Sequence, residues 1–272
     1  MMKIGNRSFD VTSDCYIMGI LNVTPDSFSD GGKWTDIEKA KKHVAEMIEE
    51  GASIIDVGGE STRSGHVQIT IEEEISRVVP VIEMIKANFD IPVSIDSYKG
   101  QVVEAALKAG ADMVNDIWGL KYDPKVAELI AEYDVPCCLM HNREKAEYES
   151  FMDDMLADLE ESVKIARKAG IPDEHIILDP GVGFGKTYEH NLIAINRLER
   201  MKELGFPILL ATSRKSVIGL TLDLPSDQRV EGTLVTTVMG VEKGAAFVRV
   251  HDVKENMRAI RMTQAILKET GL

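Results

Sequence analysis

The sequence predicts a (β/α)8 TIM barrel, an α/β fold in which eight parallel strands are enclosed by helices. Short apolar runs alternate with amphipathic helical segments eight times along the chain, which is the pattern of successive βα units. The length of 272 residues suits one such barrel, since these domains typically have about 250 residues. Aromatic residues make up only 6% of the chain. The core must therefore consist mainly of aliphatic side chains, as in parallel strands that are buried on both faces.

The predicted strands follow one another along the whole chain. They are the apolar runs at residues 16–21, 53–57, 92–95, 113–114, 137–140, 176–178, 208–210 and 246–250. The segments between them carry apolar residues three and four positions apart, for example Ile37, Ala40 and Val44, which predicts helices with one buried face. Glycines follow several of these helices, where a left-handed residue commonly ends a helix. These glycines are Gly51, Gly110, Gly170, Gly205 and Gly244.

The N-terminal residues predict a small addition to the barrel. Residues 4–11, with Gly5 and Asn6 at the turn, are expected to form a short β-hairpin that closes the lower end. An open, doubly wound sheet is the alternative to a barrel. Eight βα units in this length favour closure, and no GxGxxG motif follows the first strand. No linker interrupts the pattern, so we expect residues 1–272 to form a single domain.

Charge and cysteine content exclude several classes of function. The net charge of −14 argues against binding to nucleic acids or to anionic membranes. A small anionic substrate remains possible, because nearby Arg and Lys residues outweigh distant charges. Cys15, Cys137 and Cys138 have no CxxC spacing, which suits a reducing compartment. The N-terminus has no signal segment and no apolar run is long enough to span a membrane, so we expect a soluble cytoplasmic protein.

Polar residues occur where the predicted strands end, which is where barrel enzymes carry their chemistry. These residues are Asn22, Asp56, Glu60, Asp96, Asn115, Asp116, His141, Asp179, Lys215, Arg249 and His251. A single one of them is usually a helix cap, a turn former or a hydrogen-bonded structural residue. So many charges converging on one mouth would stay unpaired or repel unless a ligand completed them. The set therefore predicts a binding site. Arg63, Arg249 and His251 are suited to phosphate oxygens.

The glycine-rich loop at residues 181–186 has two interpretations. Its sequence, GVGFGK, resembles a short phosphate-binding loop, but it lacks the full spacing of such loops. The glycines are equally consistent with a tight turn. Thr187 is placed to cap the helix that follows.

Eight motifs in a fixed order resemble those of the dihydropteroate synthase family. They are MGILNVTPDSFSDGG (18–32), DVGGESTR (56–63), SID (94–96), VNDI (114–117), LMH (139–141), DPGVGFGKT (179–187), SRKSVIG (213–219) and RVHDV (249–253). The first motif and the one that begins at residue 179 are long and specific, whereas SID and VNDI alone would mean little. The resemblance runs from residue 18 to residue 253 and so covers nearly the whole chain.

The resemblance implies a reaction of folate biosynthesis. A 6-hydroxymethyl-7,8-dihydropterin pyrophosphate is condensed with p-aminobenzoate to give 7,8-dihydropteroate and pyrophosphate, with pyrophosphate expected to depart before the amine attacks. It also implies Mg²⁺ as cofactor, sulfonamides as competitors and a homodimer. Asn22 is the candidate ligand of the metal, because Mg²⁺ keeps waters and substrate phosphates as its other ligands.

Each part of the substrates has candidate residues. The pterin, whose ring edge presents paired N–H donors to a carboxylate, is assigned to Asp96, Asn115, Asp179, Lys215 and Met140. Pyrophosphate is assigned to Asn22, Arg63, Arg249 and His251. The p-aminobenzoate site is assigned to Thr62, Arg63, Ser64, Phe184 and Ser213, with Ser213 expected at the start of a helix. The catalytic residues are expected to be Phe28, Asp30, Lys215, Arg249 and His251, with Phe28 and Asp30 closing over the reacting carbon.

The sequence departs from the family pattern at three positions and leaves two other functions open. Ser64 replaces a common proline, Ser97 a threonine and Ala211 a glycine, which affects the expected affinities more than the reaction class. A pterin-binding methyltransferase domain would need neither the SRK motif nor the Arg249–His251 pair. A non-catalytic paralogue would not need residues for pyrophosphate. We predict only packing, turn or solvated-charge roles for Trp118, Lys186 and residues 232–237.

Overall fold

The computed structural model describes residues 1–23, 32–60 and 68–269. The chain begins with β1 (Met2–Ile4) and β2 (Arg7–Phe9), which pair in an antiparallel hairpin. The barrel strands are β3 (Tyr16–Asn22), β4 (Ala52–Gly58), β5 (Val93–Asp96), β6 (Met113–Asp116), β7 (Cys137–Met140), β8 (Ile176–Asp179), β9 (Ile208–Leu210) and β10 (Ala245–Val250).

The eight barrel strands are parallel and closed. They run in the order β10-β3-β4-β5-β6-β7-β8-β9, and β10 pairs with β3 through partners such as Val248 and Ile17. This closure confirms the predicted (β/α)8 barrel and excludes the open sheet. The predicted strands lie within two residues of the observed bounds; the largest difference is at β6, which extends to Asp116.

The N-terminal hairpin fills the lower end of the barrel, as predicted, although its strands begin two residues earlier than expected. Met2, Ile4 and Phe9 are buried. They pack against inward-facing side chains from the lower part of the barrel, and the rings of Phe9 and Tyr16 meet edge to face at 4.9 Å. Those inward-facing side chains are Met18, Ile54, Met113, Cys138, Ile177, Leu209, Ala246 and Phe247. Polar chemistry is thereby confined to the opposite end.

Helices surround the barrel and bury their apolar faces on the outside of the strands. They are α1 (Gly32–Glu50), α2 (Ile71–Asn88), α3 (Gly100–Lys108), α4 (Pro124–Tyr133), α5 (Phe151–Ala169), α6 (Tyr188–Asn196), α7 (Ser216–Leu222), α8 (Val230–Glu242) and α9 (Val253–Lys268). Two of them, α7 and α8, lie between β9 and β10. In the described part of the chain, no helix combines the length and the apolar character needed to cross a membrane.

Glycine ends helices as the sequence predicted. Gly51, Gly110, Gly170, Gly205 and Gly244 all have positive φ, between 80° and 112°. At Gly170, for example, the N–H of the left-handed residue bonds to the carbonyl of Arg167 and ends α5. These turns return the chain to the lower end of the barrel, where the next strand begins.

Candidate active site

The carboxyl ends of the strands bring a set of polar side chains together at one mouth. Asp56, Asp96, Asn115 and Asp179 are all buried there, and they come from β4, β5, β6 and β8. Arg249 extends into the same space from the end of β10, with 15% of its side chain exposed. Because the strands are parallel and form one barrel, residues far apart in sequence converge here.

Arg249 bridges two acidic residues at the centre of the mouth. Its Nε donates to Asp56 Oδ2 and its Nη2 to Asp96 Oδ2, each at 2.5 Å. Asn115 Nδ2 also donates to Asp56 Oδ2, at 3.2 Å. The second oxygens, Asp56 Oδ1 and Asp96 Oδ1, are buried without a hydrogen-bond partner. Burial raises the pKa of Asp96 to about 7, against the opposing charge of Arg249. The two free acceptors fit a ligand that presents N–H donors.

Asp179 and Lys215 form a second charged group beside this centre. Asp179 Oδ1 accepts a hydrogen bond from the Gly181 amide at 2.7 Å. Lys215 Nζ donates to the Val182 carbonyl at 2.5 Å and lies 4.9 Å from the centre of the Phe184 ring. Burial lowers the pKa of Lys215 to about 8, opposed by the charge of Asp179. Burial likewise raises the pKa of Asp179, opposed by Lys215. A carboxylate acceptor and an ammonium donor are therefore both available within the mouth.

Ser213 contacts His251 and does not begin a helix. Its Oγ lies 2.9 Å from His251 Nδ1 and accepts from the His251 backbone N–H at 3.2 Å. The following helix, α7, begins at Ser216. The expectation that Ser213 begins this helix is therefore wrong. The loop first turns through Arg214, whose φ is 59°, so the helix starts later and the hydroxyl points towards His251.

An apolar cluster lines one side of the mouth. Met140, Tyr98 and Ile117 are buried together, and Trp118 and Phe184 pack against them. This cluster is separate from the main core between strands and helices. Met140 is therefore part of the wall of the mouth, and Trp118 packs in the same wall.

The glycine-rich loop is a tight turn in which three amides have partners within the protein. Gly181, Gly183 and Gly185 have φ of 67°, 90° and 54°. The Gly183 amide bonds to Asn191 Oδ1 at 2.6 Å, and the Phe184 amide bonds to the Gly181 carbonyl at 3.1 Å. The engagement of these N–H groups within the protein favours the tight turn over a phosphate-binding loop. Thr187 caps α6 as predicted, in a capping box with His190.

Sequence reasoning missed a buried polar group at the end of β7. Lys186 Nζ lies 2.7 Å from His141 Nδ1 and donates to the Phe184 carbonyl at 3.0 Å. His141 Nε2 faces Asp158 Oδ2 at 3.0 Å. The ring therefore carries its proton on Nε2 and accepts from Lys186. Burial lowers the pKa of His141 to about 4 and that of Lys186 to about 7. Lys186 is thus not a solvated surface charge; nothing local in the sequence indicated that it meets His141.

Asn22 lies where a metal ion could be held only if substrate phosphate and water supplied most of its ligands. Asn22 ends β3. Its Oδ1 and Asp96 Oδ2 lie 3.7 and 3.5 Å from the point where a side chain on Gly58 would begin, so the two oxygens face a common space. No group of three His, Cys, Asp or Glu side chains in the described ranges could hold a metal ion. This arrangement fits Mg²⁺, which takes oxygen ligands and usually completes its shell with phosphate and water.

Some predicted site residues cannot be compared with this geometry. Phe28, Asp30, Thr62, Arg63 and Ser64 lie outside the described residues. Asp56 is a different case: the sequence placed it at a strand end without a specific role. The structure makes it the partner of both Arg249 and Asn115. Its position at a strand end and the motif that contains it were the two signals in the sequence.

The chain matches known proteins over this whole barrel. Residues 18–251 match the family described as pterin binding enzyme. A dihydropteroate synthase of Clostridium beijerinckii is 63% identical over 268 residues, covering 98% of this chain and 100% of that protein. The crystal structure of a Clostridium difficile dihydropteroate synthase in the presence of pteroic acid has a TM-score of 0.93 at 51% identity. It covers 95% of this chain and 99% of that one.

A Yersinia pestis dihydropteroate synthase in a sulfonamide drug complex is also similar, with a TM-score of 0.91 and 37% identity over 98% of this chain and 99% of that one. The fold and site define a pterin-binding enzyme. Within that class the chain belongs to the dihydropteroate synthase family, the transferases of folate biosynthesis that join p-aminobenzoate to a dihydropterin pyrophosphate. This membership decides against the pterin-binding methyltransferase domain.

Proposed function

We propose that the mouth of the barrel binds the dihydropterin pyrophosphate with its ring edge on the buried acids. The observation that carries this proposal is the pair of buried oxygens without partners, Asp56 Oδ1 and Asp96 Oδ1. The aminopyrimidinone edge of a pterin has the N–H donors that such oxygens need. In this arrangement Asn115 and Asp179 complete the edge. Lys215 donates to the pterin carbonyl or a ring nitrogen.

The remaining contacts of the pterin are apolar. Met140 packs on the face of the ring, supported by its burial in the cluster with Tyr98 and Ile117. Phe184 lies at the edge of this cluster and below the Lys215 ammonium. It is therefore suited to the region between the two substrates. The rigid packing of the cluster would fix the plane of the ring before the reaction begins.

Pyrophosphate departure is assigned to the side of the mouth formed by β3 and β10. Asn22, Arg249 and His251 come from these strand ends, and Arg63 is assigned to the same group from the sequence. The bond from the methylene carbon to oxygen breaks first, and its electron pair leaves with the pyrophosphate. Arg249 and His251 stabilise that charge by hydrogen bonding. Mg²⁺, held by Asn22, phosphate oxygens and water, would supply further charge neutralisation.

The second substrate would approach from the outer part of the mouth. The aniline nitrogen of p-aminobenzoate donates its lone pair to the methylene carbon, forms the C–N bond and then releases a proton to solvent. Phe184 and Ser213, with Thr62, Arg63 and Ser64, are assigned to this substrate, and Phe28 and Asp30 to closure over the reacting carbon. Sulfonamides would compete here, a proposal supported by the sulfonamide complex of the Yersinia pestis relative.

The decisive experiment measures pyrophosphate release from the purified protein with dihydropterin pyrophosphate and Mg²⁺, with and without p-aminobenzoate. With both substrates we expect dihydropteroate and pyrophosphate in equal amounts. Release without p-aminobenzoate would support departure before attack. His251→Ala should lower kcat more than it weakens pterin binding, whereas His43→Ala, at an exposed histidine of α1, should change neither. Pterin binding without either product would contradict the proposal and favour a non-catalytic paralogue.

We also propose that the chain acts as a homodimer of single-domain subunits in the cytoplasm. Large apolar side chains are exposed on the adjacent helices α7, α8 and α9, where a second copy would cover them. They are Leu220, Leu222, Val235, Met262, Ile266 and Leu267. Packing of the hairpin into the barrel supports one domain. The three buried free cysteines support a reducing compartment.

A further inference from the structure

The loop between β9 and α7 contains a residue in an unfavourable backbone conformation. Arg214 has a φ of 59°, in the left-handed region that any side chain disfavours. Its neighbours on either side are Ser213, which contacts His251, and Lys215, which donates to Val182. Such a conformation persists only when the surroundings hold it in place. The turn at Arg214 therefore determines where both neighbouring side chains point.

Both backbone groups of Arg214 are bound by residues at the start of α8. The Arg214 N–H donates to Thr233 Oγ1 at 3.2 Å, and the Arg214 carbonyl accepts from Arg229 Nη1 at 2.9 Å. The same Nη1 also donates to the Lys215 carbonyl at 3.2 Å. Thr233 Oγ1 in turn donates to the Arg229 carbonyl at 2.9 Å, and Thr233 is fully buried. We call Arg229 and Thr233 the Arg214 clamp.

The absence of a side chain at two glycines provides the space that the Arg214 clamp needs. A side chain on Gly219 would begin 2.2 Å from Arg229 Nη2, so only glycine admits the guanidinium there. A side chain on Gly232 would begin 2.3 Å from Ile218, so glycine allows α8 to approach α7. The side chain of Arg214 is fixed as well, by two bonds to Asp252, the residue after His251. No specific role was predicted from the sequence for residues 232–237. The first two of them, Gly232 and Thr233, help to support this loop.

We infer that Arg229 and Thr233 are positioning residues of the synthase reaction. They hold Arg214 in its left-handed conformation and thereby aim Lys215 at the pterin and Ser213 at His251. This inference rests on the roles proposed above for Lys215 and His251. Neither residue of the clamp has a described contact with those two side chains. Its effect on catalysis is therefore carried by the backbone of one loop.

The test compares two buried threonines, Thr233 on α8 and Thr263 on the neighbouring helix α9. Thr233→Val removes the hydroxyl that accepts from Arg214. Thr263→Val removes a buried hydroxyl on α9 that donates to the Ala259 carbonyl at 2.8 Å, within its own helix and away from the loop. Thr233→Val should lose more thermal stability than Thr263→Val, because the Thr233 hydroxyl makes two hydrogen bonds and the Thr263 hydroxyl makes one. Only Thr233→Val should lose kcat/KM, by about tenfold or more, since small misplacements of reacting groups are costly. Thr233→Ser keeps the hydroxyl and should restore most of the activity.

A second readout does not depend on turnover. The imidazole NMR signal of His251, assigned with a His251→Asn variant, should shift in Thr233→Val and stay unchanged in Thr263→Val. Equal losses of kcat/KM in the two valine variants, or an unshifted His251 signal in Thr233→Val, would overturn the inference. If Thr233→Val does not fold, Arg229→Met takes its place in the test. Arg229→Lys is then the conservative variant, and the same outcomes support or overturn the inference. Absence of dihydropteroate from the wild-type protein would instead contradict the proposed function, and the NMR comparison would still test the clamp.

Discussion

Arg249 is the residue on which most side chains of the mouth depend. It links Asp56 on β4 to Asp96 on β5, and Asn115 joins the same group. Each acid nevertheless keeps one buried oxygen without a donor, and such a group costs about 1–3 kcal/mol. A ligand that presents N–H donors to the mouth would satisfy both oxygens.

Lys215 should give the reaction a loss of activity at alkaline pH. Its pKa is lowered by burial to about 8, so the ammonium loses its proton and its charge as the pH rises through that value. We expect kcat/KM to fall above about pH 8. Lys215→Met should lower it by about 10- to 150-fold at pH 7, because a hydrogen bond to a charged group contributes about 1.5–3 kcal/mol. Lys186→Met is the control, since it removes a neighbouring, partly buried lysine and should leave the fall near pH 8. If the pH profile of kcat/KM for Lys215→Met still falls near pH 8, the fall belongs to another titrating group.

Asp96→Asn should stabilise the empty protein at neutral pH while weakening pterin binding. The pKa of Asp96 is raised from 3.8 to about 7, so the folded state favours the protonated form. The cost of the charged form is absent at low pH and grows as the pH rises towards 7. Relative to wild type, the variant should gain roughly 1–3 kcal/mol in urea unfolding between pH 4 and pH 8.

Glu83→Gln, at an exposed position on α2, is the control for this measurement and should show no such gain. A stability difference between Asp96→Asn and wild type that does not change with pH would contradict the raised pKa.

Several site residues could be predicted from the sequence because they end or follow a strand. Asp96, Asn115 and Asp179 are examples. Their partners could not be predicted in the same way. The Arg249–Asp56 bond joins residues 193 positions apart, and only closure of the barrel brings them together. Likewise, Lys186 meets His141 across 45 positions.

At the scale of elements, the strands were easier to predict than the loops that carry the chemistry. An apolar run buried on both faces has a clear pattern, which accounts for the close agreement of the strand bounds. The loop after β9 has no such pattern, and its turn at Arg214 depends on Arg229 and Thr233, which come from α8 and the residue before it. Ser213 was therefore predicted at a helix start that lies three residues further on.

The loop after β8 should not tolerate a side chain at Gly181. Its φ is 67°, and an added Cβ would lie 1.9 Å from the His141 carbonyl oxygen. Gly181→Ala should therefore cost more than about 4 kcal/mol of unfolding free energy, or prevent folding. Gly170→Ala is the matched control, since its φ is 95° but nothing lies within 4 Å. It should cost only about 1–2 kcal/mol for the left-handed backbone. Equal losses in urea unfolding would mean that the close contact is relieved by movement of the loop.

At the scale of the whole molecule, six of the nine large apolar side chains exposed among the described residues lie on the adjacent helices α7, α8 and α9. Val235 on α8 and Met262 and Ile266 on α9 are each 60–62% exposed. The sequence showed Met257, Ile260, Met262 and Ile266 as one apolar stripe. In the structure Ile260 is buried and Met257 packs against the core, whereas the other two face outwards. The sequence could not make this distinction, because it depends on where α9 lies against α1 and α8.

Replacement of Val235 by aspartate should shift the protein from dimer to monomer. The expected mass of the wild type in light scattering is twice the subunit mass of 30.1 kDa, and that of Val235→Asp is the subunit mass alone. A charge on an apolar contact must be desolvated without a partner, which strongly weakens association. Glu128→Lys, at an exposed position on α4 on the opposite side of the barrel, should remain dimeric. A wild-type protein that is monomeric at high concentration would rule out the proposed dimer.

The side chains of β1 and β2 fill the lower end of the barrel. In the described part of the molecule, ligands therefore enter and leave through the mouth. In the proposed arrangement the pterin lies deepest and the aminobenzoate above it, so the pterin pyrophosphate enters first. The two substrates then leave joined, as one product. A sulfonamide bound in the outer position would therefore exclude the competing amine. It would also slow the dissociation of the pterin that is bound beneath it.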